Sequence, residues 1–146
     1  GEKAEENIEE ISERRIAMRH GESQLQQACY SWFKLIYPQY RLNYLAIPNG
    51  GRRGKIEAAI MKGEGTVAGA SDTVLFVPSK GFHGLCIEFK RLIVTFDERG
   101  REHIRKTYQS PEQKEWQKAV EATGYKYVVV RSFDEFKDEI QEYLND

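Results

Sequence analysis

Three residues that could act together stand at the ends of one apolar run, SDTVLFVPSKGFHGLCIEFK, from Ser71 to Lys90: Asp72 near its start, Glu88 and Lys90 near its close. Burying unpaired charge is costly, so charges placed there mark either a wet surface or a reaction centre. Two carboxylates supply the oxygen ligands that a hard cation such as Mg²⁺ or Mn²⁺ takes, and a lysine two residues on can hold a phosphate oxygen or a water beside them. An E-x-K tripeptide alone is a common pattern on a solvated strand. Here the same face continues into Val74, Phe76 and Cys86, whereas a wet face would stay polar.

The elements around the trio follow from periodicity and punctuation. Thr73 to Val77 and Leu85 to Phe89 read as strands flanking the PSKGFHG turn. Side chains alternate, so Cys86, Glu88 and Lys90 share one face while Leu85, Ile87 and Phe89 take the other. A turn centred near Lys80 sets Val77 opposite His83, Val74 opposite Cys86 and Asp72 opposite Glu88. A slip of one residue would put Asp72 on the wrong face.

Two helices aim further polar groups at the same region. Glu22 to Tyr37 carries Leu25, Cys29, Trp32, Phe33 and Ile36 at helical spacing and stops at Pro38. Glu22 and Gln26 lie on that stripe; for Glu22, attraction to the helix dipole and a role in the site both fit. Ser110, Pro111 and Gln113 form an N-cap, an N1 proline and a capping-box partner for a helix that runs to Thr123 and stops at Gly124. Gln113 and Gln117 share a stripe with Trp116 and Val120, so Gln113 serves as a cap, as a site residue, or as both.

The remaining chain builds a frame. Arg41 to Ile47 reads as a strand, PNGGRRG as a loop, Leu92 to Phe96 as a further β run, and Tyr125 to Val130 as a strand. Ser132 with Glu135 is a second capping box, opening a helix to about Leu144. The order predicts an α/β layer with a mixed sheet flanked by helices. Residues 1–20 form a charged N-terminal arm or helix, and 21–146 one domain.

Composition narrows the classes. The 146 residues are 40% hydrophobic with eight Tyr and seven Phe, enough for one core. The N-terminus is Glu-rich, no long uncharged apolar run exists, and the expectation is a soluble intracellular protein, cytoplasmic or nuclear according to host. Cys29 and Cys86 lack CxxC spacing and sit in apolar stripes, so reduced buried thiols are expected, and His20, His83 and His103 read as surface residues. Net charge is −1, yet the middle of the chain is basic and both ends acidic. Asn49, Gly50, Gly51, Arg52 and Arg53 read either as a phosphate-contacting loop or as a flexible surface turn. Lys62, Arg105 and Lys106 extend such a track, giving affinity without sequence reading.

Asp, then E-x-K across a hairpin, preceded by a helical Glu, resembles the PD-(D/E)XK nuclease superfamily and within it the VRR-NUC branch. The likeness spans about Glu22 to Arg131: IPNGGRR, GTVAGASD, CIEFK, QSPEQKEWQKAVEATGY and VVVRS. Ser71 stands where that family usually has Pro, which leaves the backbone before Asp72 less restricted. The resemblance implies a restriction-endonuclease-like core, with a metal held by Asp72, Glu88 and the Phe89 carbonyl, and with Glu22 as a further acidic ligand or water-holder. It implies that Lys90 positions or activates the attacking water. The expected activity is divalent-metal-dependent hydrolysis of DNA phosphodiesters, selective for structure, on Holliday or other branched junctions as a homodimer. Alternatives are a flap-processing or restriction-like nuclease, and a catalytically silent DNA-binding module.

Overall fold

The computed structural model describes residues 21–48 and 54–146. The expectations for residues 1–20, for His20 and for Asn49, Gly50, Gly51, Arg52 and Arg53 lie outside these.

In chain order the elements are α1 (Gly21–Ile36), a 3-10 turn (Pro38–Tyr40), β1 (Tyr44–Ala46), α2 (Lys55–Gly63), β2 (Thr73–Leu75), β3 (Leu85–Phe89), β4 (Leu92–Phe96), β5 (Glu102–Lys106), α3 (Pro111–Ala122), β6 (Lys126–Val130) and α4 (Phe133–Leu144). The main sheet has the order β1-β2-β3-β6. β1 with β2 and β2 with β3 are antiparallel, and β3 with β6 is parallel, so the mixed α/β expectation holds. β4 and β5 form a separate two-stranded antiparallel ribbon.

Period-two alternation divides the main sheet into two buried faces. Leu75, Leu85, Ile87, Phe89 and Val130 pack with Cys29 and Phe33 of α1 and with Phe136, Ile140 and Tyr143 of α4. Val74, Cys86 and Tyr127 pack on the other side with Trp116 and Val120 of α3. β3 lies between two neighbours and under helices on both sides, and all five of its residues are buried. Both cysteines are buried free thiols. His83 and His103 are exposed.

The hairpin register is the expected one where the strands pair: Val74 opposite Cys86, Thr73 opposite Ile87. The ladder ends at Leu75 and Leu85, so Val77 and His83 are not paired within it. Beyond it Ser79 and Phe82 bridge across Lys80 and Gly81, whose φ angles are +50° and +85°, as a two-residue hairpin loop requires.

Several expectations are corrected. The strand read over Arg41–Ile47 shrinks to Tyr44–Ala46, because Arg41 N–H bonds the Pro38 carbonyl and Asn43 N–H bonds that of Tyr40, curling the segment before it. Ile36 is 48% exposed, and Tyr37 takes the buried position at the end of α1 instead. Ser132 caps α4 through the Glu135 N–H, but the Glu135 carboxylate turns to the Arg131 N–H at 2.7 Å, so the second capping box is not reciprocal.

Candidate active site

β2 begins one residue after Asp72, and β3 ends one residue before Lys90, so the antiparallel pair brings both to one end of the main sheet. Continuing the register of Thr73 with Ile87 places Asp72 across from Glu88. The Phe89 N–H donates to Asp72 Oδ2 at 2.7 Å, fixing the aspartate against the adjacent strand. Glu88 is 2% exposed. Its Oε1 lies 4.0 Å from Lys90 Nζ, and its Oε2 is buried without a hydrogen-bond partner. Lys90 is held at its main chain, where its N–H donates to the Val130 carbonyl at 3.0 Å.

Gln113 does both things the sequence left open. Its N–H donates to Ser110 Oγ at 3.2 Å and its Oε1 accepts from the Ser110 N–H at 2.9 Å, completing the capping box of α3. Its Nε2 donates to Glu88 Oε1 at 2.7 Å. One side chain therefore fixes the helix start and orients the carboxylate. Gly69, at φ +86°, lies directly under this turn: a Cβ there would fall 2.4 Å from the Glu112 carbonyl carbon and oxygen. That contact is a positioning feature the sequence reading missed; the GTVAGASD run contained the glycine without showing what lay above it.

Glu22 opens α1, and its Oε1 accepts from the Arg91 N–H at 3.2 Å. Among the described residues no three His, Cys, Asp or Glu side chains are gathered closely enough to hold a metal ion by themselves. Glu22 is nonetheless near enough for its charge to raise both Asp72 and Glu88.

Electrostatics set this corner apart. Burial pushes the Glu88 carboxyl up from 4.5 to about 8, and the Asp72 charge adds to the shift while Lys90 opposes it. Asp72 is raised chiefly by burial and by the charge of Glu22, against the Phe89 N–H and Lys90. Two acids raised by burial, Glu88 also by the Asp72 charge and Asp72 also by that of Glu22, form a site that gains when a cation enters. The unbonded Glu88 Oε2 supplies a hard oxygen donor beside Asp72, so the residues fit Mg²⁺ or Mn²⁺.

Of the residues read as a polyanion track, Lys62, Arg105 and Lys106 are among those described. Lys62 lies in the last turn of α2 and is exposed. Arg105 and Lys106 are exposed on β5, opposite Ile93 and Leu92 at the foot of the ribbon that continues from Lys90.

No protein-family profile and no curated protein matches the chain. Among solved structures it is similar to a protein named VRR_NUC domain protein, at 26% identity and a TM-score of 0.64, over 84% of this chain and 87% of that one. Sheet order, flanking helices and the acidic corner thus sit in a chain similar to a VRR-NUC domain across most of its length, in agreement with the resemblance read from the sequence motifs.

Proposed function

We propose that the chain is a divalent-metal-dependent endonuclease that hydrolyses phosphodiester bonds in branched DNA, acting as a homodimer. The observation that carries the reading is the buried corner in which Asp72, Glu88 and Lys90 meet, with one Glu88 oxygen left unbonded. The chain's likeness in fold to a protein named for a nuclease domain supports the nuclease part of that reading.

Asp72, Glu88 and the Phe89 carbonyl would hold the cation, with Glu22 beside them to hold water. The cation's contribution is to offset negative charge on the phosphate oxygens as the transition state forms. Lys90 holds and orients the attacking water with its ammonium group. The water oxygen bonds to phosphorus as the bond from phosphorus to the leaving sugar oxygen breaks; the attacking water gives up one proton to solvent, and the leaving oxygen takes one up from solvent. Gln113 keeps Glu88 aimed by its 2.7 Å hydrogen bond throughout. Lys62, Arg105, Lys106 and the Asn49, Gly50, Gly51, Arg52 and Arg53 loop are assigned to the phosphate backbone, which gives position rather than sequence choice. Pairing of two chains about a two-fold axis would present two such sites to a symmetric four-way junction.

The test is a cleavage panel of linear, flap and four-way-junction DNA with and without Mn²⁺. Metal-dependent cutting of branched substrates is expected. Glu88→Ala should lower it at least 100-fold while DNA binding persists, and Lys90→Ala should cut slowly yet still bind metal. Wild-type rates in Glu88→Ala would refute the assignment, and a monomer in sedimentation that cuts flaps but not junctions would refute the paired-subunit form.

A further inference from the structure

A cleft of about 350 Å³ opens between α1 and the sheet-edge strand β1, lined in part by Ser23, Gln26, Gln27, Tyr30, Leu45 and Thr73. Its volume is near the lower end of the range for small-ligand sites, about 300–1,000 Å³. Gln26 stands one helical turn beyond Glu22 on α1, and Glu22 Oε1 accepts from the N–H of Arg91, the residue after Lys90, so the cleft adjoins the acidic corner along α1. Among the described residues its walls carry amides, hydroxyls, an aromatic ring and aliphatic groups, and no charged side chain. Such walls suit a neutral, planar, hydrogen-bonding group better than a phosphate.

Gln26 is the telling residue. It is half-buried, and among the described residues its amide makes no hydrogen bond, whereas the neighbouring Gln27 Nε2 is engaged by Ser23 Oγ at 3.1 Å. A glutamine amide offers a paired donor and acceptor, the pattern that matches the edge of a nucleobase. Tyr30 supplies a ring wall, steadied by Tyr44 with 5.9 Å between centroids and by Lys34 Nζ at 4.6 Å.

We propose that this cleft receives an unpaired nucleobase from the DNA strand whose phosphate lies at Asp72 and Glu88, Gln26 bonding the base edge and Tyr30 packing on the base. This rests on the nuclease reading and deepens it. A base can enter only where it is free of its partner, so the cleft selects DNA with an unpaired nucleotide at a branch over continuous duplex.

The experiment titrates the full chain, in EDTA to prevent cutting, against branched DNA carrying an unpaired 2-aminopurine at the branch, the same DNA abasic there, and a fully paired duplex. Wild type is expected to bind the base-bearing branch about tenfold more tightly than the abasic one, as stacking and edge contacts to one base allow, with a change in 2-aminopurine emission. Gln26→Ala, Gln26→Met and Tyr30→Ala should lose most of that preference and keep their affinity for abasic DNA, with circular dichroism confirming an unchanged fold. Equal wild-type affinity for base-bearing and abasic DNA, or a full preference in both Gln26 variants, overturns the proposal. Parallel Mn²⁺ cleavage separates the two ideas: base indifference with intact cutting removes the cleft alone, and base preference without any cutting removes the nuclease reading alone.

Discussion

Glu88 is the residue on which the site's chemistry and the fold's stability meet. Its carboxyl stands at about 8 in the folded chain against 4.5 in its ordinary state, because of burial and the nearby Asp72 charge. A raised acid favours the folded state fully below pH 4.5, and that contribution is lost as pH rises through about 8. The metal-free protein should therefore melt at progressively lower temperature between pH 5 and pH 9. Glu88→Gln keeps an oxygen for the Gln113 amide and removes the charge, so its melting temperature at pH 9 should exceed wild type by on the order of 5 °C. Mg²⁺ or Mn²⁺ should raise the wild-type value at that pH and leave the variant nearly unmoved, since the cation takes the place of the Glu88 proton. Calorimetric melts across this range, with and without cation, check both statements; parallel pH slopes for the two proteins would defeat them.

At the scale of elements, α3 is the device that joins architecture to chemistry. Its first turn rests on Gly69, and its third residue binds Glu88. Gly69→Ala meets two obstacles: a φ of +86° and backbone atoms 2.4 Å away that have no flexible end to move. The expected cost is about 2 kcal/mol or more by denaturant unfolding. Cleavage should fall further than stability alone explains, because Gln113 is carried off with the turn; a variant as stable and active as wild type would show that α3 is not seated this way. This helix was legible in the sequence because Ser110, Pro111, Gln113 and Gly124 punctuate it at both ends, whereas the hairpin register rested on a turn taken near Lys80, since two apolar faces do not by themselves exclude a one-residue slip. α2 was not, since Gly54 caps it without a side-chain bond and most of its residues are exposed. β5 escaped notice for a related reason: Glu102, His103, Ile104, Arg105 and Lys106 are all exposed, so no buried face imposes an alternation. Gly69 was invisible because close approach of two backbone segments leaves no periodic trace.

For the whole molecule, a net charge of −1 conceals an uneven surface. Cations gather at the foot of the β4–β5 ribbon, where Arg105 and Lys106 stand across from Ile93 and Leu92, and the ribbon tip is closed on itself by Asp97, which accepts from the N–H groups of Arg99 and Arg101 at 2.9 Å. Arg105→Ala and Lys106→Ala should weaken DNA binding evenly across sequences, each reducing the slope of log affinity against log salt by about 1. Fluorescence titrations at several salt concentrations read this directly, and an unchanged slope would remove the ribbon foot from the DNA footprint. The parallel pairing of β3 with β6 has a consequence for biosynthesis. A nascent chain that has emerged only as far as Gln109 already contains Asp72, Glu88 and Lys90, yet it lacks Gln113 and the Val130 carbonyl that anchors the Lys90 main chain. On the proposed nuclease reading, truncated translation products carry the acidic residues without the partners that hold them in place, and the corner is complete only once the last strand has left the ribosome.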